Sequence, residues 1–411
     1  MDGIDEKCPA AARRLQVAHA ARRRLMAHIA AGGSTDLADT PLENEATAYT
    51  DPERLALERN QIFLKLPLIA GCSGDIPNPG DVLVFDELGP SVIVLRGSDS
   101  RVHAFLNMCP HRGTRLIEAA GSGGKAPRAV LTCPFHAWRF DLHGNLVAMP
   151  GREGFSGIAP PRLITVPAAE EHGLVFVSLD RTRDLITVEE HLGSFAAELD
   201  QLELSRLAFL RGGLLQAACN WKLAIDTYSE SYHFGVLHAS TIGRTHLANV
   251  AAFDQFGRHW RAFFAEKSLA ALMDRPDSDW PSPDFSAVHF IFPNTILVAG
   301  SADGGMLVRM FRLFPGQTPG AAVCRIAVYG VQNCSAQEAP AGFIDEARNV
   351  VTEEDYGVAI GAHANLAVAP AGFHVIYGRN EPGLQAFHRA VAEAIGAPPP
   401  RNAIEICKVQ R

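Results

Sequence analysis

Apolar positions recur along this chain in two rhythms, and the switch between them divides it. In "TDPERLALERNQIF" Leu55, Leu57, Ile62 and Phe63 supply a partial helical face. Thr50 or Asp51 can cap that helix, Pro52 suits its first turn, and Glu53 completes a capping box. From about residue 80 the rhythm shortens. "DVLVFDEL", "SVIVLRGS" and "RVHAFLNM" are short β-branched and aromatic runs broken by Gly, Asp and Ser. "AVLTCPF", "WRFDLHGNLVAM" and "RLITVPAAEEHGLVFVSL" continue the pattern, so residues 80–180 predict a small all-β unit.

From 181 the two rhythms mix. "TVEEHLGSFAAELDQL", "NWKLAIDTYSESYHFGVLH", "GFIDEARNVVTEEDYGVAIGAHANLA" and "GLQAFHRAVAEAIG" read as helices. "AVHFIFPNTILVAG", "GMLVRMFRLFPG" and "AVCRIAVYGVQN" read as antiparallel strands. The fold class expected is therefore α+β: an all-β domain, then a second domain over 181–397 with an antiparallel sheet flanked by helices. Residues 46–79 are expected to pack a helix and a strand on that second domain. Residues 1–45 form an extension and linker, and 398–411 a tail. Within the extension, "CPAAARRLQVAHAARRRLMAHIAAGG" carries five arginines and no acid. It reads as an N-terminal helix, with an amphipathic transit peptide as the alternative.

Composition narrows the function classes. The 411 residues carry a net charge of −8, which argues against nucleic acid as the main partner. No run approaches the roughly 18 to 20 apolar residues of a membrane span. The eight cysteines are sparse and form no CxxC pair, so a reduced, cytoplasmic setting is expected, with six of them acting as small buried hydrophobes.

The other two cysteines sit in "CPHRGTRL" and "CPFHAWRF". Cys109 and His111, then Cys133 and His136, put one thiolate and one imidazole in each of two loops. Zinc can take four such ligands, but mixed zinc sites usually gather the cysteines into CxxC knuckles. A Rieske [2Fe–2S] cluster calls for this division, two thiolates on one iron and two imidazoles on the other. His103 and His143, nearby in sequence, fit a strand face and a turn better than a ligand role.

A second constellation lies in "NWKLAIDTYSESYHFGVLH", where Glu230, His233 and His238 follow an acid-x-x-His-x4-His spacing. On an ideal helix Asp226, Glu230 and His233 share a stripe, while His238 lies about 140° further round than His233. The helix must loosen or end near Gly235, or carry a π-bulge, for both imidazoles to reach one metal. Two histidines and a carboxylate are the facial triad of non-haem Fe(II) oxygenases.

Both motifs together resemble the large, or alpha, subunit of Rieske non-haem iron ring-hydroxylating oxygenases, from about residue 46 to 395. Membrane-complex Rieske proteins carry a further cysteine in each loop, where this chain has Thr114 and Phe135. The insert "AAGSGGKAPRAV" makes the spacing between the loops slightly longer than usual and reads as a loop. The resemblance implies that Asp355 of "TEEDYGVAIG" is the third ligand of a mononuclear iron, with Glu354 as the alternative. It implies that Glu230 links this iron to a Rieske histidine of a neighbouring subunit, and gives Asp226 a supporting polar role. Most ring dioxygenases have aspartate at the Glu230 position, and glutamate resembles the amine-acting members.

The activity implied is that of a terminal oxygenase. It would use O₂ and electrons from a separate reductase, with or without a ferredoxin, to hydroxylate or dihydroxylate a small aromatic substrate. Monooxygenation or N- or O-demethylation of an amine or methyl ether is the alternative, and an electron-transfer protein without catalytic iron the rival from another class. A homotrimer is implied. Phe253, Phe256, Trp260, Phe264, Phe290 and Phe311 are the candidates for a pocket lining, with most of the six expected to be ordinary core.

Overall fold

The computed structural model describes residues 9–118, 129–180, 182, 186–302, 305–331 and 348–403. Most of the insert at 119–130, the start of the predicted helix at 342–347, and Cys8, Cys334 and Cys407 lie outside the described residues.

The first helix, Pro9–Ala30, is stitched to the second domain through its arginines. Arg24 Nη1 meets Asp254 at 2.6 Å and Arg14 meets Glu203 at 2.7 Å, while Ala18, Ala21 and Leu25 enter a core cluster under the large sheet. After strand β1 (Leu42–Glu45) comes the predicted helix, Pro52–Glu58, continued by a π-helical turn to Phe63. Its cap is Asp51, whose carboxylate accepts the Glu53 N–H at 2.8 Å; Thr50 instead donates to the Ala46 carbonyl.

The β unit is built from β2 (Leu68–Cys72), β3 (Val82–Phe85), β4 (Val92–Arg96), β5 (Val102–Leu106), β6 (Leu131–Thr132), β7 (Arg139–Phe140), β8 (Leu146–Ala148), β9 (Ala168–Glu171) and β10 (Leu174–Val177). They form three small antiparallel sheets, ordered β2-β10-β9, β3-β4-β5 and β6-β7-β8. Because β2 pairs with β10, the unit recruits a strand from ahead of residue 80. Its own core holds Ile93, Leu95, Phe105, Leu131, Trp138 and Phe140 around Cys109 and Cys133.

The second domain is one seven-stranded antiparallel sheet of β11 (Leu207–Ala217), β12 (His246–Phe256), β13 (His259–Glu266), β14 (Ser286–Ile291), β15 (Thr295–Ala302), β16 (Gly305–Pro315) and β17 (Ala322–Val331), ordered β11-β17-β16-β15-β14-β13-β12. Alternation sends Phe263, Ala287, Leu297, Val308 and Met310 to the face covered by the first helix. Trp260, Phe290, Ile296, Phe311 and Ile326 face the other way, toward Trp221, Tyr356 and Phe387 of three helices, Trp221–Asp226, Tyr356–Leu366 and Pro382–Ile395. β18 (His374–Tyr377) pairs with β1, and so does β19 (Arg401–Asn402). The expected tail is thus ordered as a strand at that point.

A buried ion pair fixes where the site begins. Lys222 Nζ reaches both oxygens of Glu58 at 2.6 and 2.7 Å, and Trp221 Nε1 donates to the same carboxylate at 2.8 Å. Both charges are essentially inaccessible to water. Burial pushes the Lys222 ammonium below its ordinary value, and Glu58 works against that shift.

Candidate metal centres and their pocket

The two Cys/His loops share one backbone closure. In the first, Gly113 N–H donates to Cys109 O at 2.9 Å and Cys109 N–H to Thr114 O at 2.8 Å. In the second, Ala137 N–H donates to Cys133 O at 3.0 Å and Cys133 N–H to Trp138 O at 2.8 Å. Gly113 (φ 75°) and Ala137 (φ 54°) both take the left-handed conformation at the same place in the loop. The closures bring four donors together. Both thiols are buried, and burial raises the Cys109 thiol, with Cys133 beside it adding to the effect.

His111 lies flat on Trp138, 4.9 Å between centroids at 9°, and its ring is 4.6 Å from that of His136. His111 Nδ1 and His136 Nδ1 are buried with no hydrogen-bond partner. Two adjacent thiols and two unpaired imidazole nitrogens suit a cluster held from both sides. Thr114 and Phe135 stand in the loops as expected, and Phe135 is exposed with Arg112 over its ring.

The mononuclear triad is assembled differently from the helical expectation. The helix that opens at Trp221 stops at Asp226, and a separate 3₁₀ turn, Tyr232–Gly235, carries His233. Asp226 is therefore not on one stripe with Glu230 and His233. Its Oδ1 accepts from His388 Nε2 at 2.9 Å and its Oδ2 from Tyr49 OH at 2.8 Å, in a buried network that includes Tyr377 and Asn44. The helix thus ends ahead of Gly235, one of the routes expected, and a π-helical segment lies on the other candidate segment, Val350–Asp355.

That π turn brings Asp355 onto the histidines. Asp355 Oδ1 lies 3.2 Å from His238 Nε2 and 3.6 Å from His233 Nε2. Neither Asp355 Oδ1 nor His233 Nε2 has a hydrogen-bond partner, though both are buried. Each imidazole turns its other nitrogen to a carboxylate, His233 Nδ1 to Glu230 and His238 Nδ1 to Glu354. This is how metal-binding histidines are oriented and made more basic. Glu354, the alternative ligand from sequence, is placed behind His238 and also accepts Thr241 Oγ1 at 2.7 Å. Burial would lower His238, but Asp355 and Glu354 outweigh it and raise it; burial raises Asp355. A divalent cation removes the conflict, because it takes the imidazoles neutral and the carboxylate charged.

Sequence reasoning missed Glu381. Burial, with the Glu230 and Asp226 carboxylates adding to it, pushes Glu381 up to about 7.

A cavity of about 380 Å³ opens on the triad. His233, His238, Asp355 and Glu230 form one side; Tyr228, Phe234, Phe264, Val288, Val298 and Phe311 supply most of the apolar wall. Of the six aromatics expected there, Phe264 and Phe311 line it. Trp260 and Phe290 are core, and Phe253 and Phe256 pack against the two core clusters. Arg309 also lines the cavity and was missed, although it shares strand parity with Phe311 in "GMLVRMFRLFPG".

His103 and His143 are apart from both centres. His103 Nε2 lies 3.1 Å from Asp99 Oδ1, and the two rings meet edge to face at 4.8 Å.

Comparison with known proteins agrees with this geometry. The Rieske [2Fe-2S] domain matches residues 68–166, and the catalytic domain of the ring hydroxylating alpha subunit matches 197–397. The chain is 30% identical over 194 residues to the carnitine monooxygenase oxygenase subunit of Acinetobacter baumannii, a match covering 46% of this chain and 51% of that protein. It is 33% identical over 223 residues to the anthranilate 1,2-dioxygenase large subunit of Acinetobacter baylyi, covering 50% and 45%. The chain thus spans about half the length of the curated relatives it matches.

Among solved structures, a quaternary ammonium Rieske monooxygenase has a TM-score of 0.74 at 22% identity, over 87% of this chain and 96% of that one. Naphthalene 1,2-dioxygenase from Rhodococcus sp. scores 0.67 at 17%, over 91% and 98%. These likenesses establish the fold, α+β with a Rieske domain ahead of the catalytic sheet.

Proposed function

We propose, from the premise that this chain belongs to the ring-hydroxylating alpha subunits with a Rieske [2Fe–2S] domain, that it is the terminal oxygenase of a multicomponent system. The observation that carries this reading is the pair of half-satisfied donor sets in one chain: His111 and His136 on the β unit, and His233 with Asp355 under the sheet. Bound there, a [2Fe–2S] cluster would supply single-electron transfer and a mononuclear iron the chemistry that activates O₂. Cys109, Cys133, His111 and His136 would hold the first, and His233, His238 and Asp355 the second.

The remaining residues bind, orient and shield. Glu230 and Glu354 accept the Nδ1 protons and so fix both imidazoles with Nε2 toward the metal. The apolar wall excludes water from a cavity sized for a small organic molecule. Electrons would come from a separate reductase, with or without a ferredoxin, in a reduced cytoplasmic setting that suits the buried thiols of Cys72, Cys219 and Cys324.

The assembly proposed is a head-to-tail homotrimer. Glu230 offers a nearly buried carboxylate, 11% exposed, and the exposed Tyr232 and Val236 follow it in the chain. The Rieske loops in turn present exposed Phe135, with Ile158 also exposed on that lobe. A heterologous ring covers both surfaces and sets a Rieske histidine of one subunit against Glu230 of the next.

Hydroxylation or dihydroxylation of a small aromatic compound is the leading reaction. The glutamate at 230 favours a second, monooxygenation or demethylation of an amine or methyl ether. Iron and acid-labile sulfide, measured on anaerobically purified protein, test the reading. About three iron to two sulfide per chain is expected. Two iron to two sulfide, unchanged by added Fe(II), would leave an electron carrier.

A further inference from the structure

Two short turns of the Rieske lobe meet outside the cluster loops. The first, residues 97–101, joins β4 to β5, and the Gly97 N–H closes it on Arg101 O at 2.8 Å. The second, residues 141–145, joins β7 to β8. Asp141 holds it, its Oδ1 accepting the His143 and Asn145 N–H groups at 2.9 and 2.8 Å. The turns belong to different sheets, β3-β4-β5 and β6-β7-β8. They meet on the face of β5 that carries both His103 and Phe105, two residues apart. Gly144 (φ 79°) packs so closely there that a Cβ would stand 2.6 Å from the Phe105 ring, and His143 beside it meets His103 edge to face.

Three metal-binding side chains come together at this junction. His103 Nε2 lies 3.1 and 3.2 Å from the two Asp99 oxygens. His143 Nε2 lies 2.8 Å from Ser98 Oγ, one residue before Asp99, so both imidazoles address the same turn. One donor atom from each of Asp99, His103 and His143 lies within 4.8 Å of the other two. Gly97 makes the room, because a Cβ there would stand 2.5 Å from Asp99 Oδ1 and 2.8 Å from His103 Nε2. An ion pair with Asp99 accounts for His103 alone; the second imidazole, brought in from another sheet, makes a ligand set. Zinc bonds of about 2.0–2.2 Å put tetrahedral donors roughly 3.3–3.6 Å apart, so Asp99 and His103 already have the spacing and His143 has about an ångström to close. All three side chains are partly open to solvent, which lets water complete the coordination.

The position gives such an ion a consequence. β5 runs into the loop of Cys109 and His111, and β7 follows the loop of Cys133 and His136. Phe105 shares one core with Cys109 and Cys133. We propose that Asp99, His103 and His143 bind a divalent cation of the zinc class, which staples the two Rieske sheets together and holds the cluster loops closed. The proposal stands apart from the oxygenase reading.

The test is calorimetric titration of the anaerobic holoenzyme, cluster and mononuclear iron in place, with ZnCl₂, while iron is assayed in the same samples. One zinc per chain should bind with a Kd of about 10 µM or tighter, and no iron should leave. His143→Gln and Asp99→Asn should each weaken binding about tenfold or more, with iron and sulfide content unchanged. Zinc at about 100 times its Kd should slow bleaching of the cluster in denaturant about tenfold or more in the wild type and leave His143→Gln unaffected. The proposal is overturned if no zinc binds, if zinc enters only as iron leaves, or if both variants bind it like the wild type. Zinc held at the turns with unchanged bleaching overturns the staple. The wild-type titration and iron assay decide the first two outcomes even where a variant does not fold.

Discussion

The two metal-binding regions reach the same end, unpaired donors facing one point, by different routes. In the Rieske lobe each loop is closed by its own backbone, and the two donors of each loop lie two or three residues apart. Under the catalytic sheet the proposed ligands come from segments more than a hundred residues apart, 233–238 and 350–355. They meet because a helix stops early at Asp226 and another admits a π turn before Tyr356. The first site is local and the second is tertiary. Damage to the shared core should therefore release the mononuclear iron before it touches the cluster.

Removing a ligand is the strongest way to separate the sites. Asp355→Ala should lose the mononuclear iron and cut turnover by more than the roughly 10–100-fold that loss of a supporting partner costs. The visible spectrum of the cluster should survive, with about two iron and two sulfide per chain. Joint loss of cluster and iron would show that the sites are not independent.

Next comes the buried pair at the head of the metal-binding segment. Lys222→Met leaves the buried Glu58 carboxylate answered only by Arg54 Nε at 3.3 Å and the Trp221 Nε1–H, and should cost at most about 3–5 kcal/mol. Thermal unfolding would measure the cost, and iron analysis would show whether the mononuclear site fails first, as the comparison requires.

Acid should act on the same side of the comparison. Burial lowers His191 and His289 to about 3 and His259 to about 4. His259 Nδ1 accepts the Phe292 N–H at 3.1 Å while its Nε2–H is given to His191 O at 2.8 Å, so a second ring proton has no place. Between these values and the ordinary 6.5 the unfolded chain binds more protons, so stability rises with pH there and falls on acidification. Each histidine contributes at most about 1.4 kcal/mol per pH unit. Chemical denaturation at pH 7, 6 and 5 should show the catalytic domain weakening stepwise. A flat profile would mean that these histidines are charged in the fold.

Glu354 distinguishes an orienting residue from a ligand. Glu354→Gln keeps the shape but removes the charge behind His238, and should weaken iron binding about 10–100-fold without abolishing it. A loss as complete as that of Asp355→Ala would make Glu354 a ligand after all.

How much was legible in the sequence follows the same division. The Rieske loops could be read because every donor is carried by two short motifs. The histidines of the second site were also readable, but their backbone was not: "NWKLAIDTYSESYHFGVLH" has helical composition, and only tertiary contacts end the helix at Asp226. The same limit hid β11, whose Gly212 and Gly213 blur the alternation, and β12, whose alanines do not mark a strand. Glu354 and Asp355 differ by one position in sequence, and it takes the folded backbone to set Asp355 against the histidine Nε2 atoms and Glu354 behind His238. Arg309 carried a readable signal in its strand parity, whereas the aromatics divide as expected, with Trp260 and Phe290 in the core and Phe253 and Phe256 packed against it, and hydrophobicity alone does not say which two line the open face.

The smallest effect probes how far the two Rieske loops are equivalent. Ala137 holds the left-handed conformation that glycine holds at 113. A residue with a Cβ pays roughly 1–2 kcal/mol there, and glycine returns about 0.4–1 kcal/mol of that through a freer unfolded chain. Ala137→Gly should therefore stabilise the lobe by about 1 kcal/mol or less. Gly113→Ala should destabilise it by a similar amount, because the added Cβ would meet nothing nearer than Met108 at 3.9 Å and the penalty is confined to the backbone. Bleaching of the cluster in denaturant is the readout, slower for the first variant and faster for the second. If both variants bleach faster, the Ala137 methyl group makes contacts that glycine cannot replace, and the loops are alike in backbone path only.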